Sequence, residues 1–180
     1  ACVLAHRDEL TAQNRAKFAR VHPSITTSVV DARTKSWEGQ VVFAMAPTLE
    51  RPANLKPMPT LDLLVIDEAH RVGADGYRRI IDHALARNPA CSIYGVTATP
   101  MRGDGKGLQS VFTNVADQIH LSELVRSGHL VIPRTLVIDV GVQGDLAGVR
   151  RTADDFDMEQ VDRIMNRKPV IEAVIRHWKE

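Results

Sequence analysis

Apolar positions along the chain fall into short runs broken by polar punctuation. The sharpest break follows Leu63-Leu64-Val65-Ile66, which shows no alternation and stops at Asp67-Glu68-Ala69-His70. A short unalternated run suits a strand covered on both faces, the kind found in parallel α/β sheets. A second run, Cys91 to Val96, stops at Thr97-Ala98-Thr99-Pro100. Between them Tyr77, Ile80, Ile81, Ala84 and Leu85 recur at helical spacing, which predicts an amphipathic helix from Gly76 to Arg87. Strand, helix, strand is a right-handed crossover that brings both strand ends to one rim of a sheet. Ligands of such sheets sit beyond the carboxyl ends of the strands. Asp67, Glu68, His70, Thr97 and Thr99 are therefore expected to share one crevice.

Similar patterning extends along the chain. Ala1 to Ala5 predicts a strand, and the chain up to Val21 a helix with acids in its first turn, where the helix dipole favours them. Ile25 to Val30 and Val41 to Ala44 are further strands, joined by a polar turn in which Trp37 is either a partly buried anchor or a stacking platform for a base. Arg51 to Thr60, with Pro52, Pro57 and Pro59, reads as a loop. A short helix over Leu108 to Val115 follows, and a second over Glu123 to Ser127, capped by Ser122 and closed by Gly128. Leu130 to Ile132 and Thr135 to Val140 read as strands, and Gly141 to Asp157 as the start of a linker. Pro169 suits the first turn of a last helix bearing Val170, Ala173, Val174 and Trp178.

The crevice has the groups that metal-assisted phosphoryl transfer needs. One strand-end carboxylate can hold Mg²⁺, directly or through water, while its neighbour orients and deprotonates the attacking water. Asp67 suits the first role and Glu68 the second. His70 can reach the hydroxyls of Thr97 or Thr99 and couple hydrolysis to something that moves. A hydrolase using Glu68 and His70 on a small substrate is a rival reading.

Asp-Glu-Ala-His followed by Thr-Ala-Thr-Pro resembles motifs II and III of the superfamily 2 helicases, the DEAD/DEAH-box-like nucleic-acid motors. With its tail, the run from Thr97 to Leu108 is similar to the branch of restriction-enzyme motor subunits and repair translocases. Val3 to Leu10 with Gln13 resembles motif Ia, and Met45 to Leu49 the next backbone-contacting motif, with Pro47 where the family often has Gln. The resemblance implies an α/β fold: a RecA-like parallel sheet of the P-loop NTPase type, flanked by helices and incomplete at its N-terminus. It implies a partial first RecA-like domain over residues 1–140, and a linker with a lead-in helix to a second such domain over 141–180. It also implies ATP and Mg²⁺ as cofactors, nucleic acid as partner, with DNA favoured over RNA, and His6, Arg7, Thr48 and Arg102 as contacts to the nucleic-acid backbone. Gly105-Lys106 is no P-loop, because Pro100 stands where the first Gly is needed and Gly107 replaces the Mg²⁺-binding hydroxyl. The chain is thus expected to be a fragment that hydrolyses ATP poorly on its own, or else an inactive nucleic-acid-binding or assembly module.

Composition bounds this picture rather than extending it. With 180 residues, 44% hydrophobic, the chain can bury one full core, and with a net charge of +1 its bulk charge gives no reason to expect nucleic-acid binding. Cys2 and Cys91 belong to no Cys-x-x-Cys pair, so reduced thiols in a cytoplasmic protein are expected. No run approaches membrane-spanning length, and no membrane partner is expected.

Overall fold

Backbone and side chains are taken from a computed structural model, which describes residues 1–100, 108–134, 137, 139–150 and 156–179. The chain divides into two compact units, Ala1–Ala116 and Asp117–Glu180.

The first unit is an α/β structure built on five strands: β1 (Cys2–Ala5), β2 (Thr27–Val30), β3 (Val41–Met45), β4 (Leu63–Asp67) and β5 (Ser92–Val96). Their order is β2-β3-β1-β4-β5 and every pairing is parallel. The expected sheet is present, with β4 and β5 adjacent. Helix α1 (Asp8–Val21) packs on β1 and β3, where the Phe18 and Phe43 rings meet at 5.7 Å between centroids. Cys2, Leu4, Leu64 and Ile66 are fully enclosed on one face and Phe43 on the other, whereas Tyr94 and Val96 of β5 are exposed, so the expected cover on both faces does not extend to this edge strand. Each of the larger side chains contributes roughly 1.5–3 kcal/mol by leaving water. Burial pushes the Cys2 thiol up to about 12, so it stays protonated. Trp37 packs against this core from its turn, the anchoring role of the two foreseen.

Several local expectations are corrected. After α2 (Ala46–Leu49), which has Pro47 in its first turn, Arg51 to Thr60 is not all loop: it holds α3 (Pro52–Leu55), because Pro52 likewise sits in a first turn, where the missing N–H costs nothing. The helix expected from Leu108 shrinks to a 3-10 turn, Leu108–Ser110. The amphipathic helix is α4 (Asp75–Arg87), with Tyr77, Ile80, Ile81 and Ala84 buried.

The second unit contains α5 (Leu121–Arg126), α6 (Gln143–Ala147), α7 (Met158–Met165) and α8 (Lys168–Lys179). Its small core gathers Val142, Val149, Ile164 and Val170. The residue at the N-cap of α5 is His120 and not Ser122, which lies inside the helix; Gly128 does close it, at φ +75°. Leu130 to Ile132 form no strand: they are exposed and no neighbouring strand among the described residues offers a ladder. In the stretch read as a strand from Thr135, Thr135, Leu136 and Ile138 lie outside the described residues, and Val137, Asp139 and Val140 are not in a strand. Where a linker was expected, α6 is present, and α7 follows, capped by Asp157 through the N–H groups of Glu159 and Gln160 at 3.1 and 3.2 Å. No helix among the described residues is long and apolar enough to cross a membrane.

Candidate nucleotide site at the sheet rim

In register, Asp67 pairs with Val96, so Thr97 is the first residue past the carboxyl end of the β4–β5 pair. Parallel pairing forces this outcome, since both strands end on the same rim. The chain then leaves β4 through Glu68, whose backbone is left-handed at φ 55° and ψ 51°. It is the one non-glycine residue with positive φ among the described residues. A non-glycine side chain there costs about 1–2 kcal/mol, and such strain gathers where geometry serves chemistry. After this turn Ala69–Gly73 forms a 3-10 turn that swings His70 back over the rim.

Asp67 is half-buried and doubly held. Its Oδ1 accepts the N–H of Glu68 at 2.9 Å, and its Oδ2 accepts from Asn14 Nδ2 of α1 at 3.0 Å. His70 Nδ1 lies 3.0 Å from Thr97 Oγ1, 3.2 Å from Thr99 Oγ1 and 3.2 Å from Glu68 Oε2. Thr97 Oγ1 also accepts the N–H of Thr99 at 3.1 Å, which fixes the turn after β5. Carrying a proton, Nδ1 donates to the Glu68 carboxylate. Without it, Nδ1 accepts a threonine hydroxyl. His70 Nδ1 thus lies within hydrogen-bond reach of both Glu68 and the turn after β5.

Close packing brings these two turns together. A Cβ built on Gly95 would lie 2.3 Å from the Phe112 ring and 2.8 Å from Ala69 Cβ, so only glycine lets β5 approach the Asp-Glu-Ala-His turn this closely. Arg78 of α4 ties the returning chain down by donating to the Ser110 carbonyl at 3.2 Å and to its hydroxyl.

Beside the rim a cavity of about 360 Å³ opens between two turns. His6, Arg7 and Glu9 line one side, and Glu68, His70 and Arg71 the other. Arg7 is the N-cap residue of α1, and its side chain, which carries donors only, does not cap that helix. Burial, then the charges of Arg71 and Arg7, lower the His6 pKa and keep its ring neutral, against a smaller opposing effect of Glu50. His6 Nδ1 and Arg71 Nε are buried without a hydrogen-bond partner, as is the hydroxyl of Tyr77, which burial pushes up to about 12.

Of the residues singled out in the sequence, Asp67, Glu68, His70, Thr97 and Thr99 meet at the rim, and His6 and Arg7 stand across the cavity from Glu68. Thr48 does not join them: it is buried in α2, where its carbonyl accepts from Asn54 Nδ2 at 2.8 Å. Arg102 lies outside the described residues. Asn14 and Arg71 were missed. Arg71 directly follows the Asp-Glu-Ala-His run and was available to a reading that continued one residue; Asn14 left only the faint signal of a poor helix former inside a helix.

The donor set suits Mg²⁺. It offers hard carboxylate and hydroxyl oxygens at a strand end, and each Asp67 oxygen accepts one hydrogen bond and retains a lone pair. Among the described residues no cluster of three or more acids, histidines or cysteines would cage a metal. Mg²⁺ commonly takes one or two carboxylates and completes its shell with water and phosphate.

The chain resembles known proteins in sequence. Residues 1–102, more than half of the chain, match the family described as type III restriction enzyme, res subunit. The chain is 28% identical over 180 residues to a Saccharomyces cerevisiae protein named as an ATP-dependent helicase, IRC3, covering 98% of this chain and 26% of that protein. A Schizosaccharomyces pombe protein named as a mitochondrial ATP-dependent helicase, irc3, is 26% identical over 182 residues, covering 99% of this chain and 30% of the relative. The solved Pyrococcus furiosus Hef helicase domain is 23% identical with a TM-score of 0.48, covering 57% of this chain and 24% of that one. The chain thus spans under a third of the curated relatives it matches. It is a RecA-like domain of the superfamily 2 helicase class and belongs to the type III restriction enzyme res subunit family.

Proposed function

We propose that the protein carrying this chain is an ATP-dependent helicase or translocase acting on DNA, and that this chain supplies the metal carboxylate and the water-activating glutamate of its nucleotide site. The observation that carries the reading is the meeting at one rim of Asp67, Glu68 and the Thr97 and Thr99 hydroxyls, bridged by His70. In it, Asp67 holds Mg²⁺, directly or through water; bound there, the ion neutralises charge on the terminal phosphates. Glu68 accepts a proton from the attacking water, and its left-handed backbone keeps the carboxylate forward of the strand end. His70 passes the state of that carboxylate to the turn of Thr97 and Thr99. His6 and Arg7, with Arg102, meet the nucleic-acid backbone, while Thr48 supports the α2 turn from within. A second RecA-like domain of the same protein completes the site. The relatives named as ATP-dependent helicases support ATP and nucleic acid as ligands, and the restriction and repair resemblance supports DNA. Free Cys2 and Cys91 suit a reducing compartment, either the cytoplasm or the mitochondrion in the Schizosaccharomyces pombe relative's name.

The test is ATP hydrolysis by the intact protein with Mg²⁺, alone and with single-stranded DNA, duplex DNA or RNA. The expected result is Mg²⁺-dependent turnover that DNA stimulates more than RNA does. Nucleic-acid binding without hydrolysis under any of these conditions would overturn the proposal in favour of a binding module.

A further inference from the structure

Asn14 belongs to none of the motifs above, yet it touches the most important of them. It lies on α1 with Thr11 one turn before it and Phe18 one turn after; Thr11 is buried, and Phe18 meets the Phe43 ring of β3, so this is the face turned to the sheet. From it the Asn14 amide crosses to the end of β4 and donates to Asp67 Oδ2 at 3.0 Å. With the Glu68 N–H on Oδ1 at 2.9 Å, each carboxylate oxygen has its own donor, one from the strand's own continuation and one from a different element. A carboxylate held at both oxygens cannot rotate about its Cβ–Cγ bond without losing a hydrogen bond. Its remaining lone pairs are therefore aimed, and only the amide donor on α1 can be removed by a side-chain substitution.

We infer that Asn14 is a positioning residue for Asp67, fixing the direction in which that carboxylate presents itself to a divalent cation. The inference rests on the motor reading of Asp67. Partners that orient a metal ligand typically account for 10–100-fold in metal affinity or activity. The experiment is Mn²⁺ binding, followed by electron paramagnetic resonance, to the intact protein with a non-hydrolysable ATP analogue. Asn14→Leu keeps the branching of the side chain and favours the helix but cannot donate. It is expected to bind Mn²⁺ about 10–100-fold more weakly with no loss of melting temperature. Asn14→Ala removes the donor without adding charge or bulk and also favours the helix, and is expected to weaken binding to the same degree; it decides the matter should the leucine variant not fold. Unchanged affinity in the folded variants, alongside loss in Asp67→Asn, would overturn the role of Asn14. Unchanged affinity in Asp67→Asn itself would instead refute the motor reading, and the inference with it.

Discussion

Glu68 is the residue at which stability and chemistry pull apart. Its left-handed backbone is unfavourable for any side chain with a Cβ, and its carboxylate lies 3.2 Å from His70. Glu68→Gly should relieve about 1–2 kcal/mol of backbone strain and cost about 0.4–1 kcal/mol in unfolded-state entropy. A net gain near 0.5–1 kcal/mol in chemical denaturation, with hydrolysis lost, is the expected outcome; a less stable variant would show that the turn carries no strain. His6 gives a pH signature. Its pKa is lowered from 6.5 on folding, first by burial and then by Arg71 and Arg7, so the unfolded chain binds the proton more readily. Its contribution is fully present above pH 6.5 and is lost as pH falls from there toward the lowered folded value. The depressed Asp31, held by N–H groups of Thr34 and Arg33, acts in a separate window below 3.8. Denaturation midpoints should thus fall between neutral pH and mild acid, and His6→Asn should flatten that slope; an unchanged slope would assign it elsewhere. Neither the strain at Glu68 nor the Asn14 contact was legible in the sequence. The first is a backbone angle with no signature in residue type, and the second joins positions 53 residues apart.

At the scale of elements, the fit of β5 against the turn after β4 makes the site. Gly95→Ala would drive a methyl group into Phe112 and Ala69, so overpacking should cost about 1–3 kcal/mol and displace the Thr97 turn from His70. Pairing it with Phe112→Leu should recover part of the loss, because the two share one space. Full additivity in a thermal-melt cycle would mean the contact is not tight. β4, β5 and α4 could be read from sequence because each apolar run stops at polar residues and a helical stripe lies between them, yet the missing alternation misled about burial: only Leu64 and Ile66 of β4 are buried, and β5, at the sheet edge, has no buried residue. Where local pattern and tertiary role disagree, local pattern misleads. Leu130 to Ile132 have strand-like composition but no adjacent strand among the described residues, and Pro47 and Pro52 look like breakers but occupy the helical positions that tolerate proline. α7 escaped notice although Asp157 supplies a cap and Met158, Val161, Ile164 and Met165 an apolar stripe.

For the whole molecule, the proposed function makes this chain one half of a nucleotide site. Its 180 residues include no GxxxxGK[ST] run, and they span 26% and 30% of the two fungal relatives. Phosphate binding in the proposed motor therefore draws on residues outside this chain, and isothermal titration of ATP into the isolated chain should give affinity far below that of the intact protein. Equal affinities would place the phosphate cradle within these residues. The proposed function stands on a division of labour in which Glu68 activates the attacking water while Asp67 serves the metal. Its most direct test is single-turnover ATP hydrolysis by Glu68→Gln in the intact protein, with nucleotide affinity measured in parallel. Retained ATP binding with turnover reduced about 10²–10⁴-fold is predicted; hydrolysis at the wild-type rate would contradict it.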